Sequence, residues 1–532
     1  AEARHWMDDE YVPTLQRLER AASLMAWNAY VFGSEDFYRA KEDAEILFRR
    51  YHSDRKTFER LKEMKDSPEI RDPLLKRSLE VAWLQFLDNQ IDPALNARIV
   101  ELSTKLEERF NTFRAEVGGE PKTDNELTKV LRETKSPDEA RATWEALKQV
   151  GPLVAKDLLD LVELRNEAAR QVGFPDYYAM QLAVSDQTPE GLKDLMDRVA
   201  AMTDAPFRQW KEEIDTEQAA RFGIAVEELR PLHYGDPFFQ SAPPFEGLDV
   251  DATWSGRDIL ATAKGFFAGI GMETDPILER SDLYERKCKV QHAFCFDIDR
   301  RGDVRVLLNL QPTARWAETT LHELGHAVYD LGIDPALPYP LRGAAHQLTT
   351  EGVAMMFGGL TVNPDWLEAV LGERPDAETA DNLRRRQIRS WLIFARWALV
   401  MTDFEREMYA DPRQDLGERW WGIVARHQLL VRPEERTEPD WATKIHLATV
   451  PVYYHNYLLG ELFSAQLRQH LAKEVLQVEF PSGVTFVGRP ELGPWLRENV
   501  FAPGKSMSWD DLVEKITGRR LGPEAFVAQM EP

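Results

Sequence analysis

The sequence predicts a mainly α-helical protein with one small β-hairpin, and three observations carry that prediction. Apolar residues recur at helical spacing along nearly all of the 532 residues. Several of these runs open on a side chain able to cap a helix. Only CKVQHAFCFDID (288–299) and DVRVLLNL (303–310) break the pattern; both are rich in β-formers and they are joined by a turn at Arg301-Gly302.

The first 120 residues read as long, charged, amphipathic helices such as EDFYRAKEDAEILFRRY, whose charges form a solvated outer face. In SPDE (136–139), Ser136 is the N-cap, Pro137 takes the first helical position and Glu139 completes a capping box. Thr188-Pro189-Glu190 opens a later helix in the same way. LHYGDPFFQSAPPFEGLDV (232–250), dense in Pro, Gly and aromatics, is a long irregular connection, after which the helices resume unchanged. The two cysteines, Cys288 and Cys295, fall on the first strand of the hairpin. Seven residues at about 3.3 Å each hold them beyond disulfide reach, so both are expected to be buried thiols. No internal repeat, low-complexity tract or domain boundary interrupts the chain.

An apolar fraction of 43% and an aromatic fraction of 10% are those of a globular protein. No run approaches the roughly 18 apolar residues of a membrane span. The formal charge of −24 repels phosphate backbones and anionic membranes, so no nucleic-acid partner is expected. The chain opens on AEARHWMDDEY, without initiator methionine or apolar leader. That leaves two compartments open: exported or periplasmic if a signal peptide was removed, cytoplasmic otherwise.

The chemistry concentrates in TTLHELGHAVYD (319–330). Residues four apart in a helix differ by about 40° in direction, so His322 and His326 present their imidazoles to one point. Zinc accepts such nitrogens, and Glu323 would flank the ion without binding it, free to take a proton from the attacking water. A catalytic zinc takes three protein ligands, and the candidates for the third are Asp330, Asp334, His346 and Glu351. Tyr329 stands where the extended metzincin pattern requires glycine, which excludes a third histidine after His326. The helix is expected to end near Gly332. LTTEGVAMMFGGL (348–360) resumes helix with Thr349 or Thr350 as its cap, which places Glu351 in the first turn and makes it the preferred ligand, with His346 as its rival.

HELGH, the loop LPYPLRGA and a glutamate 25 residues after His326 resemble the angiotensin-converting-enzyme-like (M2) zinc peptidases of the gluzincin group. Trp144, LVELRNEAARQVGF (161–174), HAFCFD (292–297), WWGIVARHQ (420–428) and KIHLATVPVYYHNY (444–457) resemble further segments of that family, over roughly residues 125–470. The resemblance implies a two-lobed helical ellipsoid with a deep central cleft and one catalytic domain. Residues 1–120 would supply lid helices, 125–470 the core and 471–532 the C-terminal helices.

Carried onto this sequence, the resemblance implies one Zn2+ on His322, His326 and Glu351, with Glu323 as the base. His446 and Tyr457 would hold the developing oxyanion. His292 and Ala293 would pair with an extended peptide along a strand edge. Gln240, Lys444 and Tyr454 would grip the C-terminal carboxylate of a short peptide, and a grip at a fixed distance from the cut implies release of dipeptides.

The match has gaps. One extra residue separates His446 from Tyr454 and Tyr457, which leaves Tyr453 as a substitute for Tyr454. Met355 replaces the aspartate that orients the first histidine in the family. Val424 and Asn456 stand where chloride-activated members carry arginines, although Trp420 is retained; chloride activation is therefore not expected. The family's disulfide partners are absent, as in a distant, bacterial-type member. Two other functions remain open: an endo-acting oligopeptidase of the thimet (M3) type, which YYHNYLLGELFSAQL (453–467) also resembles, and a catalytically silent relative that binds peptides.

Overall fold

The computed structural model describes residues 2–244, 248–481 and 484–530. Helices make up most of it, as the periodicity predicts, and strands among the described residues are confined to two two-stranded antiparallel hairpins. The first hairpin, Ala115–Val117 with Glu120–Lys122, was not foreseen, because three-residue strands leave no periodicity in a sequence. The second pairs Phe294–Asp297 with Val304–Leu307, in the register Phe294 to Leu307.

The first strand of this second hairpin is shorter than its composition suggests. Residues 288–293 are drawn elsewhere: the Val290 N–H donates to Tyr30 O at 3.0 Å, and the buried Lys289 ammonium pairs with Asp282 at 2.8 Å. Cys288 is therefore off the strand and exposed, contrary to the expected buried thiol, whereas Cys295 is on it and partly buried; both thiols are free.

Ser136 caps its helix by accepting from the Glu139 N–H, with Pro137 in the first turn. The capping box does not close, however. Ser136 N–H donates to Thr134 Oγ1 at 3.1 Å, and the Glu139 carboxylate accepts from the same hydroxyl at 2.5 Å. Thr188 caps the 34-residue helix Pro189–Phe222 as expected.

The N-terminal helices bury a core of their own. Trp6, Tyr11, Leu15, Phe58, Leu61 and Phe86 pack together, and the one buried member from later in the chain is Tyr339. The main core is separate and runs from Leu106 to Met530. Arg77 links the two layers: its guanidinium donates to Asp186 at 2.6 Å and to Lys505 O at 3.2 Å. Arg300 from the hairpin turn adds a second link to Glu19 at 2.7 Å.

Three helices meet at the centre of the main core. The HELGH helix, Ala314–Gly332, starts on a Thr313 cap and stops where its spacing predicts. The glutamate helix is Gln347–Gly358 and the tyrosine helix His455–His470. They approach backbone to backbone at glycines. A Cβ on Gly325 would lie 2.9 Å from Ala354 Cα, and one on Gly352 would lie 2.8 Å from Gly460 O. A larger residue would push the HELGH and glutamate helices apart at Gly325, and the glutamate and tyrosine helices apart at Gly352.

Candidate metal centre and active site

Helical geometry brings His322 and His326 together as the spacing requires, with their Nε2 atoms 3.1 Å apart. Glu351 enters from the neighbouring helix as its fifth residue, one turn further in than the sequence suggests because the helix starts at Gln347. Its Oε2 lies 3.5 Å from His322 Nε2 and 3.7 Å from His326 Nε2. Ligands at 2.0–2.1 Å around a tetrahedral zinc lie about 3.3 Å from one another, so this donor set fits the ion without rearrangement.

The other three candidates for the third ligand have different work. His346 caps the glutamate helix, its Nδ1 accepting from the Leu348 N–H at 3.0 Å. This overturns the expected Thr349 or Thr350 cap. Thr349 Oγ1 lies 3.2 Å from the Tyr329 hydroxyl, and Thr350 Oγ1 lies 2.7 Å from His326 Nδ1. Asp334 caps the following loop through the Ala336 N–H. Asp330 is half-buried, with the Cys295 thiol 3.9 Å away, and desolvation together with Asp297 lifts its carboxyl to about 8.

The two histidines differ in support. Thr350 fixes His326 from behind. Among the described residues nothing bonds His322 Nδ1, and Met355 turns its sulfur toward Gly460. Two carboxyls that the sequence did not flag, Glu318 and Glu461, line the cavity on the His322 side. Burial raises both, Glu461 to about 7 with Glu318 adding to the effect. Burial also lowers His322 to about 4 and His326 to about 3, so both imidazoles are neutral and able to ligate at neutral pH. It lifts the Glu323 carboxyl to about 8, with Glu351 contributing.

His322 borders two cavities. One, of about 640 Å³, holds Glu323, His326, Glu351 and Tyr453, with Ala293, Phe294 and Cys295 of the hairpin on its wall. His292 is exposed and outside that lining, its ring 6.4 Å from Phe294, so Ala293 is the hairpin residue nearest the chemistry. The other cavity, of about 660 Å³, holds Gln240, Met355 and Phe394.

Gln240, Lys444 and Tyr454 come together beside this second cavity. Lys444 Nζ donates to Gln240 Oε1 at 2.6 Å and lies 5.3 Å from the Tyr454 ring. The Phe238 and Trp397 rings flank the ammonium at 5.1 and 5.2 Å, and burial lowers it to about 8 against the pull of Asp236. Asp236 organises the loop: its carboxylate accepts from Phe238 N–H, Gln240 N–H and the Ser241 hydroxyl.

His446 stacks edge-on to Tyr454 at 5.2 Å, and its buried Nδ1 has no partner among the described residues. Burial and Lys444 lower its pKa to about 4, which makes it a neutral imidazole. The three tyrosines divide between the two sides. Tyr454 faces Lys444, whereas burial and the charge of Glu351 raise both Tyr453 and Tyr457. Tyr453 and Tyr457 are four apart, with rings 5.3 Å from each other. That spacing was the signal available in the sequence for Tyr453 as a residue on the metal side.

A helical fold with His322, His326 and Glu351 converging beside Glu323 defines a zinc peptidase of the gluzincin kind. The chain belongs to the M2 peptidase family, whose model, described as angiotensin-converting enzyme, matches residues 1–204 and 248–532. It is 20% identical over 440 residues to an angiotensin-converting enzyme of Theromyzon tessulatum, covering 77% of this chain and 71% of that protein. It is 26% identical over 235 residues to thermostable carboxypeptidase 1 of Pyrococcus furiosus, covering 39% of this chain and 45% of that protein. Among the described residues no helix is long and apolar enough to cross a membrane.

Proposed function

We propose that this zinc peptidase is a peptidyl-dipeptidase that removes C-terminal dipeptides from short peptides. The observation that carries the proposal is the Lys444 to Gln240 bond beside Tyr454, on a cavity that reaches His322. An ammonium, an amide and a phenol gathered in one buried corner suit a carboxylate, and a carboxylate held there fixes which bond is presented. The C-terminal mode named for the Pyrococcus furiosus relative agrees with such a grip.

His322, His326 and Glu351 would hold the zinc, which supplies Lewis acidity toward the scissile carbonyl and the attacking water. Glu323 accepts the proton of that water and passes it to the leaving amine, acting as the carboxylate that the charge of a bound zinc would favour against the burial that raises it. Tyr457 and His446 donate to the carbonyl oxygen as charge builds on it; as neutral donors in a buried site they need no prior change of protonation. Lys444, Gln240 and Tyr454 hold the free C-terminus. Ala293 and the strand that follows it offer main-chain pairing to the extended substrate, with His292 at its entrance. The helices of residues 1–120 act as a lid over this cleft, and no chloride requirement belongs to the mechanism.

Mass spectrometry of products from a hexapeptide with a free or an amidated C-terminus tests this. The expected result is a released dipeptide and a loss of about 100-fold in kcat/KM on amidation, the scale of a lost charge-assisted contact. Release of a single residue would make the enzyme a carboxypeptidase of another spacing. Indifference to amidation would remove the grip and favour an endo-acting oligopeptidase.

A further inference from the structure

Of the two cavities that His322 borders, the one that holds Glu323 and lacks Gln240 is also lined by Lys505. This lysine is held by its backbone. Its N–H donates to Leu341 O at 2.9 Å, and its carbonyl accepts from Arg77 Nε at 3.2 Å. Its stem lies across a floor of small residues, Gly343, Ala344 and Ala345; a Cβ on Gly343 would meet Lys505 Cε at 3.4 Å. No hydrogen bond or ion pair engages the ammonium among the described residues.

The acids on the same cavity are already committed. Asp186 holds Arg77 at 2.6 Å. Glu351 accepts from Gln347 at 3.2 Å and belongs with Glu323 to the metal centre. Asp330 sits against the Cys295 thiol, its carboxyl lifted by burial to about 8 and so protonated near neutral pH. His346 is occupied as a helix cap and is likewise neutral. A half-buried cation without a hydrogen-bond partner is costly, and burial lowers Lys505 to about 8, with Arg300 and Arg77 adding to the effect and the more distant Glu19 and Asp186 opposing it. An arriving carboxylate would supply the missing counter-charge.

We propose that Lys505, over the Gly343 to Ala345 floor, forms a subsite for an acidic side chain in the substrate segment N-terminal to the scissile bond. The direction of the peptide rests on the assignment of Gln240 and Lys444 as the C-terminal grip. With the C-terminus held there and the cut made beside His322, the remaining residues run into the other cavity, which Lys505 lines. The enzyme is then selective at both ends, for a free C-terminus on one side and for Glu or Asp on the other.

The test is binding of acetylated hexapeptides carrying Glu, Gln or Lys at the third or fourth residue from the C-terminus, free or amidated. Dissociation constants are measured on zinc-loaded Glu323→Gln protein, where cleavage does not interfere. At one of these positions Glu is expected to bind on the order of tenfold more tightly than Gln, and Lys more weakly than either. Lys505→Met should bring the Glu to Gln ratio close to one, and Lys505→Arg should keep it, with melting curves reporting the fold of both. Equal affinities, or tighter binding of Lys, would overturn the proposal without any variant. A Glu preference that survives in Lys505→Met would also overturn it. The amidated peptides separate this from the grip: a Glu preference without an amidation effect removes the grip and keeps the subsite. An amidation effect without a Glu preference does the reverse.

Discussion

The candidate metal centre and the proposed carboxylate grip adjoin the two cavities that His322 borders and are built in opposite ways. The metal centre comes from two adjoining helices, with two of its ligands one turn apart on the first and the third near the start of the next. Glycines lock these helices backbone to backbone. The grip takes Gln240 from an irregular connection and Lys444 from the end of a short 3-10 turn, 204 positions apart in sequence. A helix converts spacing into geometry at a fixed rate, whereas a loop does not. The metal centre is therefore rigid and its layout regular, and the grip depends on Asp236 and three aromatic rings for its shape.

The largest expected effect breaks the chemistry of the metal centre while leaving its architecture. Glu323→Gln should lower kcat by about 1000-fold with little change in KM, as for loss of a general base, and should retain zinc measured by metal analysis. Equal activity in the two proteins would refute the mechanism. A smaller effect tests the rigidity of the same region. Gly352→Ala sets a methyl against Gly460 O and the Phe463 ring, and overpacking of this kind costs about 1–3 kcal/mol. A melting temperature lowered by a few degrees, together with weaker zinc retention, is expected; an unchanged melting temperature would mean the helices are not locked there.

A pH-dependent effect sharpens the electrostatic side of the comparison. The Asp330 carboxyl stays protonated in the folded protein up to about 8, whereas its ordinary value is 3.8. Between those values the unfolded chain has released a proton that the folded chain keeps, so stability falls as pH rises through the window. Asp330→Asn removes this dependence. The difference in melting temperature between variant and wild type should therefore grow in favour of the variant as pH rises from about 5 to about 8; a difference that stays constant would show that Asp330 ionises normally.

The same contrast explains what could be read in the sequence. HELGH and the helix end at Gly332 follow from helical spacing, and the family resemblance extended them to a whole cleft; Glu351 lies one turn deeper in its helix than expected, because the helix starts at Gln347. The errors fall where a polar group has two possible partners. Thr349 and Thr350 are good caps by composition, but Tyr329 and His326 claim their hydroxyls and His346 takes the cap. Glu139 turns to Thr134 for the same reason. The first strand of the hairpin was overextended because Lys289 and Val290 find tertiary partners that no local pattern reveals. Asp236 and Lys505 were missed entirely, since their importance lies in which segments fold around them.

Tyr339 gives the N-terminal layer a further meaning. It lies on the loop between the HELGH helix and the glutamate helix, yet it is buried among Trp6, Tyr11 and Phe86. The segment that joins the ligands His326 and Glu351 is thus tethered to the layer above the cleft. Under the proposed lid role of residues 1–120, displacing those helices would pull on a strap whose two ends carry His326 and Glu351, and admitting a peptide would be coupled to keeping the ion.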